Sequence, residues 1–278
     1  MSPSIRKSSA HGAGLPAIGL GTGGLSERCA ELVASALQAG YRHIDTARKF
    51  GTERGVGEGI RASRIARDEI FVTTKVSHEN LHAADFERST EASLRALGCE
   101  RVDLLLVHWP TPDMPLQEAM GALAKMKRRG LARHIGVANF NIALIDEASR
   151  LCPEPLDALQ AEYHPYLDQS KLLAACRRRG LIFIAYCPLG RGRLLGDPVI
   201  GDVARAKGKT AAQVALRWLV QQDSVVAIPR SSSPARIASN IDVFGFELAD
   251  DEMKRIHALK RPDGRIANPA GRAPLWDA

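Results

Sequence analysis

Short aliphatic runs alternate with longer amphipathic stretches along the whole chain, and this alternation constrains the fold more than any other feature. The runs are residues 17–21, 42–46, 70–75, 102–108, 134–139, 158–162, 182–186 and 225–229. Between them, stretches such as 27–39, 85–97, 116–129, 142–151, 171–179 and 211–220 carry apolar residues at helical spacing. Gly40, Gly98, Gly130 and Gly180 close four of these stretches, as glycine does at helix ends. Strands separated by helices pair in parallel, and parallel strands buried on both faces read as continuous apolar runs. No Pro/Ser-rich linker breaks the series, so one domain over 1–278 is expected.

Two architectures suit such a series, a closed barrel and an open doubly wound sheet. A length of 278 residues lies near the ~250 typical of the barrel. The strand ends decide more. Asp45, Lys75, His108, Asn139, Gln160, Tyr186 and Arg230 stand at or just past the C-terminal ends of the runs. A barrel gathers those ends around one mouth, whereas an open sheet spreads them along a line. The segment Gly19-Leu20-Gly21-Thr22-Gly23-Gly24 matches GxGxxG, with Asp45 about 20 residues on, as in a dinucleotide-binding βαβ unit. That pattern is weak in a chain with 24 glycines, and it leaves the other strand ends unexplained.

Several function classes drop out. No apolar run approaches the ~18 residues of a membrane span, and residues 1–13 lack the apolar block of a signal peptide. A cytoplasmic protein without membrane contact is expected. The five cysteines are scattered, with no CxxC or Cys/His ligand spacing, so neither a metal site nor a disulfide framework is expected. The excess of 38 Lys+Arg over 31 Asp+Glu raises the question of nucleic acid. The cations are interspersed with acids, however, and the run 177–179 reads as a solvated helix end, so no nucleic-acid partner is expected.

The strand ends also carry motifs. Arg42-His43-Ile44-Asp45-Thr46-Ala47, Thr74-Lys75, Leu106-Val107-His108-Trp109-Pro110, Gly136-Val137-Ala138-Asn139-Phe140, Gln160-Ala161-Glu162-Tyr163-His164-Pro165, Ala185-Tyr186-Cys187-Pro188-Leu189-Gly190 and Ile228-Pro229-Arg230-Ser231 follow in that order. Together they resemble the aldo-keto reductases over essentially the whole chain. The tail, Asp263-Gly264-Arg265 through Ala273-Pro274-Leu275-Trp276-Asp277, is similar to the bacterial 2,5-diketo-gluconate and methylglyoxal reductase branch. The resemblance implies an α/β fold, a single-domain (β/α)8 TIM barrel with a short N-terminal extension and a C-terminal tail near its mouth. It implies NADPH (NADP+) as cofactor and a small aldehyde or ketone, a dicarbonyl or keto-sugar, as substrate. A monomer is expected.

In the family a tyrosine is the acid, a lysine lowers its pKa, an aspartate holds the lysine and a histidine orients the carbonyl. Asp45, Lys75 and His108 match three of the four. The fourth departs: the family's Asp-Thr-Ala-x-x-Tyr reads Asp45-Thr46-Ala47-Arg48-Lys49-Phe50. Phenylalanine keeps the ring but carries no transferable proton, and loss of a positioned acid costs ~10²–10⁴-fold in rate. Three accounts stay open. The chain is an engineered Tyr→Phe variant; or a natural member in which His108 or a water held by Lys75 gives the proton; or a nucleotide-binding sensor or interaction protein without turnover.

For the cofactor, the resemblance implies Thr22 and Asp45, the carboxamide pair Asn139 and Gln160, the stacking ring Tyr186, and Cys187, Leu189 and Gly190 near the pyrophosphate. Arg230, Ser231 and Arg236 match the segment that holds the 2′-phosphate, and Asn240 the adenine contact. Arginine suits phosphate because its planar fork pairs with it bidentately. Ala138, Cys187 and Ser239 depart from the family's usual serine, serine and glutamate. Phe50, His78, Trp109 and Trp276 would form the substrate pocket, with Ser77 where relatives often carry tryptophan. Read without the resemblance, Asp45 and Lys75 also fit an ion pair closing the barrel, and Tyr186 and Gln160 fit plain core. His43, His134, His164 and His257 are read as structural or surface residues.

Overall fold

The computed structural model describes residues 7–8 and 14–277; apart from residues 7 and 8, the polar N-terminal extension lies outside them. Strands β1 (Lys7–Ser8) and β2 (Leu15–Pro16) pair antiparallel. Eight further strands follow: β3 (Leu20–Gly21), β4 (His43–Asp45), β5 (Phe71–Val76), β6 (Val102–Val107), β7 (Ala132–Ala138), β8 (Ala158–Glu162), β9 (Ile182–Tyr186) and β10 (Val225–Ala227). Each pairs in parallel with the next in sequence. Ile18 bridges Ala227 in parallel, with Gly19 N donating to Ala227 O (2.9 Å) and Gly21 N to Pro229 O (3.0 Å). Those bonds join the last strand to the first. The expected closed (β/α)8 barrel is found, and all eight expected runs fall on its strands.

Side-chain alternation explains the two layers. On β6, Leu104 and Leu106 join Ile182, Ile184, Ala158 and Val226 inside the barrel, while Leu105 and Val107 pack outward against the helices. Leu15 belongs to the interior cluster, so the β1–β2 hairpin contributes to its apolar filling. Each leucine, isoleucine or valine among them contributes about 1.5–3 kcal/mol through burial.

The expected helices 142–151 and 211–220 are found as Ile142–Leu151 and Ala211–Val220. Four helices were not anticipated: Glu53–Ser63, Pro198–Lys207, Pro234–Ile241 and Asp250–His257. The first hides behind Gly55, Gly57 and Gly59, which are poor helix formers. Close packing requires two of them, since a Cβ on Gly57 would meet the Leu97 carbonyl and one on Gly59 would stand 2.6 Å from the Ala30 carbonyl. Among the described residues, no helix is long and apolar enough to cross a membrane.

Candidate active site

Asp45 ends β4 and Lys75 lies one residue before the end of β5, so parallel pairing brings them to the same rim of the barrel. Lys75 Nζ donates to Asp45 Oδ1 (2.5 Å) and to the Thr46 carbonyl (2.8 Å). Gln160 Nε2, from β8, donates to the other Asp45 oxygen (2.7 Å). All three side chains are buried. Burial pushes the Asp45 carboxyl up and the Lys75 ammonium down, and each charge opposes the shift of the other. Such a pair is costly to desolvate and is tolerated only when further hydrogen bonds complete it; Thr46 and Gln160 supply them.

Phe50 closes the 3-10 turn Arg48–Phe50 that follows β4. Its ring meets the His108 imidazole edge-on, with centroids 5.4 Å apart, and Lys75 Nζ stands 5.4 Å from its centroid. The phenylalanine thus occupies the junction of Lys75 and His108. Burial, reinforced by the Lys75 charge, pushes the His108 imidazole down to about 3. His108 is therefore neutral at neutral pH, a hydrogen-bond donor rather than an acid.

Asn139 and Cys187 follow directly on β7 and β9, and both take left-handed backbone angles, φ 65° and φ 49°. Non-glycine residues held in that region cluster at functional sites. Asn139 Nδ2 donates to the His108 carbonyl (2.9 Å), and its Oδ1 accepts from the Tyr186 hydroxyl (2.7 Å). Burial holds the Tyr186 phenol well above its ordinary range, so it stays protonated as that donor. Burial also raises the Cys187 thiol, opposed by its hydrogen bond to Arg191.

These groups open onto a cleft of about 1020 Å³. Asp45, His108, Asn139, Gln160, Tyr186 and Arg230 line it, and Lys75 lies against it on Asp45. Six of the seven anticipated strand-end groups thus face one space. Thr22, Phe50, Trp109, Cys187, Leu189, Ser231, Arg236 and Asn240 line it as well. Gly190, His78 and Trp276 are not among its lining residues. Gly190 is buried against Leu194, and His78 begins a 3-10 turn with Nδ1 beside Ser77 Oγ (3.4 Å). Trp276 sets its ring edge-on to Trp109, centroids 6.4 Å apart, so the tail does reach a cleft-lining residue. The Thr22 hydroxyl is engaged with Asp45 O and Thr52 Oγ1 (3.1 Å each).

The far end of the cleft is more open. Arg230 is exposed and reaches the Gly23 and Gly24 carbonyls (3.3 Å each). Arg236 is exposed, and its backbone N–H donates to Ser233 Oγ (3.4 Å). Ser231 and Asn240 are buried beside them. Amides and an aromatic ring at one end, with cations and a hydroxyl at the other, suit a long ligand with a planar polar head and an anionic tail.

Sequence reasoning missed the anchor of the tail. The buried Glu162 carboxylate accepts from Ile266 N (2.7 Å) and Ala267 N (2.6 Å) and pairs with His164 Nε2 (2.9 Å). Arg265 stacks on Trp276, 3.7 Å from its ring centre. Among the described residues, no group of three or more His, Cys, Asp and Glu side chains is placed to hold a metal ion.

Residues 17–261 match the model of the Aldo/keto reductase family. An aldo-keto reductase of Mycolicibacterium smegmatis is 45% identical over 256 residues, 90% of each chain. A solved structure called 2,5-diketo-D-gluconic acid reductase B superposes with a TM-score of 0.96 at 43% identity, covering 99% of each chain. A Bombyx mori aldo-keto reductase, solved in complex with NADP, gives 0.85 at 30% identity over 92% of this chain and 94% of its own. Barrel, strand-end constellation and likeness along the chain agree: this protein belongs to the aldo/keto reductase family, a family of oxidoreductases.

Proposed function

We propose that the chain reduces small aldehydes and ketones, dicarbonyls and keto-sugars among them, with NADPH, at a rate limited by the missing acid at position 50. The observation that carries this reading is the Lys75–Asp45 pair, buried at the barrel mouth with the Lys75 ammonium 5.4 Å from the Phe50 ring centre.

The residues of the cleft fit the cofactor. Asn139, Gln160 and Tyr186 would hold the nicotinamide end, with Thr22 and Asp45 beside them. Gln160 commits one Nε2 proton to Asp45, which leaves its second N–H and its Oε1 for the carboxamide. Cys187 and Leu189 would pass the pyrophosphate, with Gly190 behind them turning the loop at φ 55°; Arg230, Ser231 and Arg236 would take the 2′-phosphate, and Asn240 the adenine. Bound there, NADPH supplies the hydride. Neutral His108 polarises the carbonyl by donating a hydrogen bond to its oxygen. Phe50 gives no proton, and an imidazole pushed down to about 3 is a poor source of one. An ammonium has three N–H groups, and Lys75 commits two of them to Asp45 and Thr46. The third would hold a water beside Phe50, and that water is the donor this reading favours. Trp109, with Trp276 packed edge-on against it, would wall the substrate.

The reading is of a monomer, residues 1–278 as one cytoplasmic domain, with no nucleic acid or membrane partner; gel filtration at micromolar concentration checks the first of these. Phe50 itself favours a second reading, a nucleotide-binding sensor or interaction protein on the same barrel. Fluorescence titration with NADPH, followed by NADPH oxidation over a panel of dicarbonyls and keto-sugars, separates the two. Binding with turnover supports the reductase. Binding without turnover on any substrate supports the sensor, and absence of binding overturns both.

A further inference from the structure

Glu53 plays no part in the reading above, yet it is a second buried carboxylate close to Lys75. It opens the helix Glu53–Ser63 and is 2% exposed. Its Oε1 accepts from the Thr74 hydroxyl (2.6 Å), and its Oε2 faces Arg48 Nη1 (3.4 Å). Thr74 directly precedes Lys75 on β5, and Arg48 begins the turn that ends in Phe50. One carboxylate therefore ties the strand that carries Lys75 to the turn that carries Phe50. Hydroxyls brace the same segment: Thr52 Oγ1 meets Thr46 Oγ1 (3.0 Å) and Thr22 Oγ1 (3.1 Å).

Packing alone gives little reason for an acid here. A buried carboxylate is costly to desolvate, and apolar residues of similar volume often serve stability as well. Its surroundings supply the reason. Lys75 is faced by Asp45 and, deeper on β4, by His43, by His108 just beyond β6, and by Glu53 from the helix after the turn, with Arg48 on the outer side of Glu53. The Asp45 and Glu53 charges both favour the Lys75 ammonium against its burial. Asp45 touches it directly, while Glu53 is bonded to the neighbouring Thr74 and reaches the ammonium by its charge.

We propose that Glu53 is a positioning residue of this site: it fixes the turn that sets residue 50 over Lys75, and it keeps a second negative charge behind the Lys75 ammonium. The proposal rests on the reductase reading of the same site.

Two variants separate its halves. Glu53→Gln keeps an acceptor for Thr74 and removes the charge. Removing a neighbouring negative charge makes the ammonium less favourable, so Lys75 should lose its proton roughly half a pH unit or more lower, read by side-chain NMR of its Nζ group. The high-pH limb of NADPH oxidation should move the same way, with the NADPH Kd unchanged. Thr74→Val keeps the charge and removes the bond. It should leave the Lys75 titration in place and lower turnover ~10-fold, in the chain as it stands and with Phe50→Tyr. An unmoved Lys75 titration in Glu53→Gln overturns the charge role, and unchanged turnover in Thr74→Val overturns the bracing role. If NADPH fails to bind the unaltered protein, the reductase reading falls instead, and the Lys75 titration still decides the role of the Glu53 charge.

Discussion

The two ends of the cleft are built on opposite electrostatic terms. Around Asp45 and Lys75, charge is buried, paired at 2.5 Å and completed by Thr46 and Gln160. Around Arg230 and Arg236 the cations stand in water. The first arrangement meets its desolvation cost during folding and is assembled before any ligand arrives, which is what stabilising a developing charge requires. The second defers that cost until an anion arrives, so it serves affinity and remains open to screening by salt. Chemistry and binding are thereby separable in this molecule, and substitutions should separate them.

Lys75→Met should have the largest effect. It leaves the Asp45 carboxylate buried without its cation, a loss of about 3–5 kcal/mol in chemical denaturation. Turnover should fall a further ~10²–10⁴-fold. A variant as stable and active as the parent would dissolve the contrast between the two ends.

Acid should also act on the buried end. Burial, aided by the Lys75 charge, pushes both His43 and His108 down to about 3 from 6.5. Depressed values mean that the unfolded chain binds these protons first. Their contribution to stability is therefore present above about 6.5 and is lost progressively as pH falls from there towards 3. Thermal unfolding recorded across that range should show a falling Tm; a flat profile down to pH 4 would contradict the burial argument.

At the open end the effects should be smaller and confined to binding. Arg236→Glu should raise the NADPH Kd by about 10-fold or more, as loss of a charge-assisted bond does. The NADH Kd should barely move; equal changes for both would refute a 2′-phosphate contact. Added salt should weaken NADPH binding modestly without altering the Lys75 titration.

The contrast also marks what a sequence can disclose. Asp45, His108, Asn139, Gln160 and Tyr186 were legible because each polar residue ends or follows an apolar run, and a barrel brings all run ends together. The partners they choose were not. Gln160 reaches Asp45 from 115 residues away. Glu162 holds the tail through backbone N–H groups 104 and 105 residues on, which no side-chain pattern reveals. The helix Glu53–Ser63 escaped notice because its glycines obey contacts with Leu97 and Ala30 rather than helix propensity. With that helix, Glu53 escaped as well.

The central claim is that this barrel mouth is a carbonyl-reducing site lacking one hydroxyl, at Phe50. NADPH oxidation by the unaltered protein and by Phe50→Tyr, on the same dicarbonyls and keto-sugars, tests it most directly. Restoring the phenol beside Lys75 should raise the rate at least ~10-fold with little change in NADPH affinity. A rate that does not rise, with NADPH still bound, would contradict it.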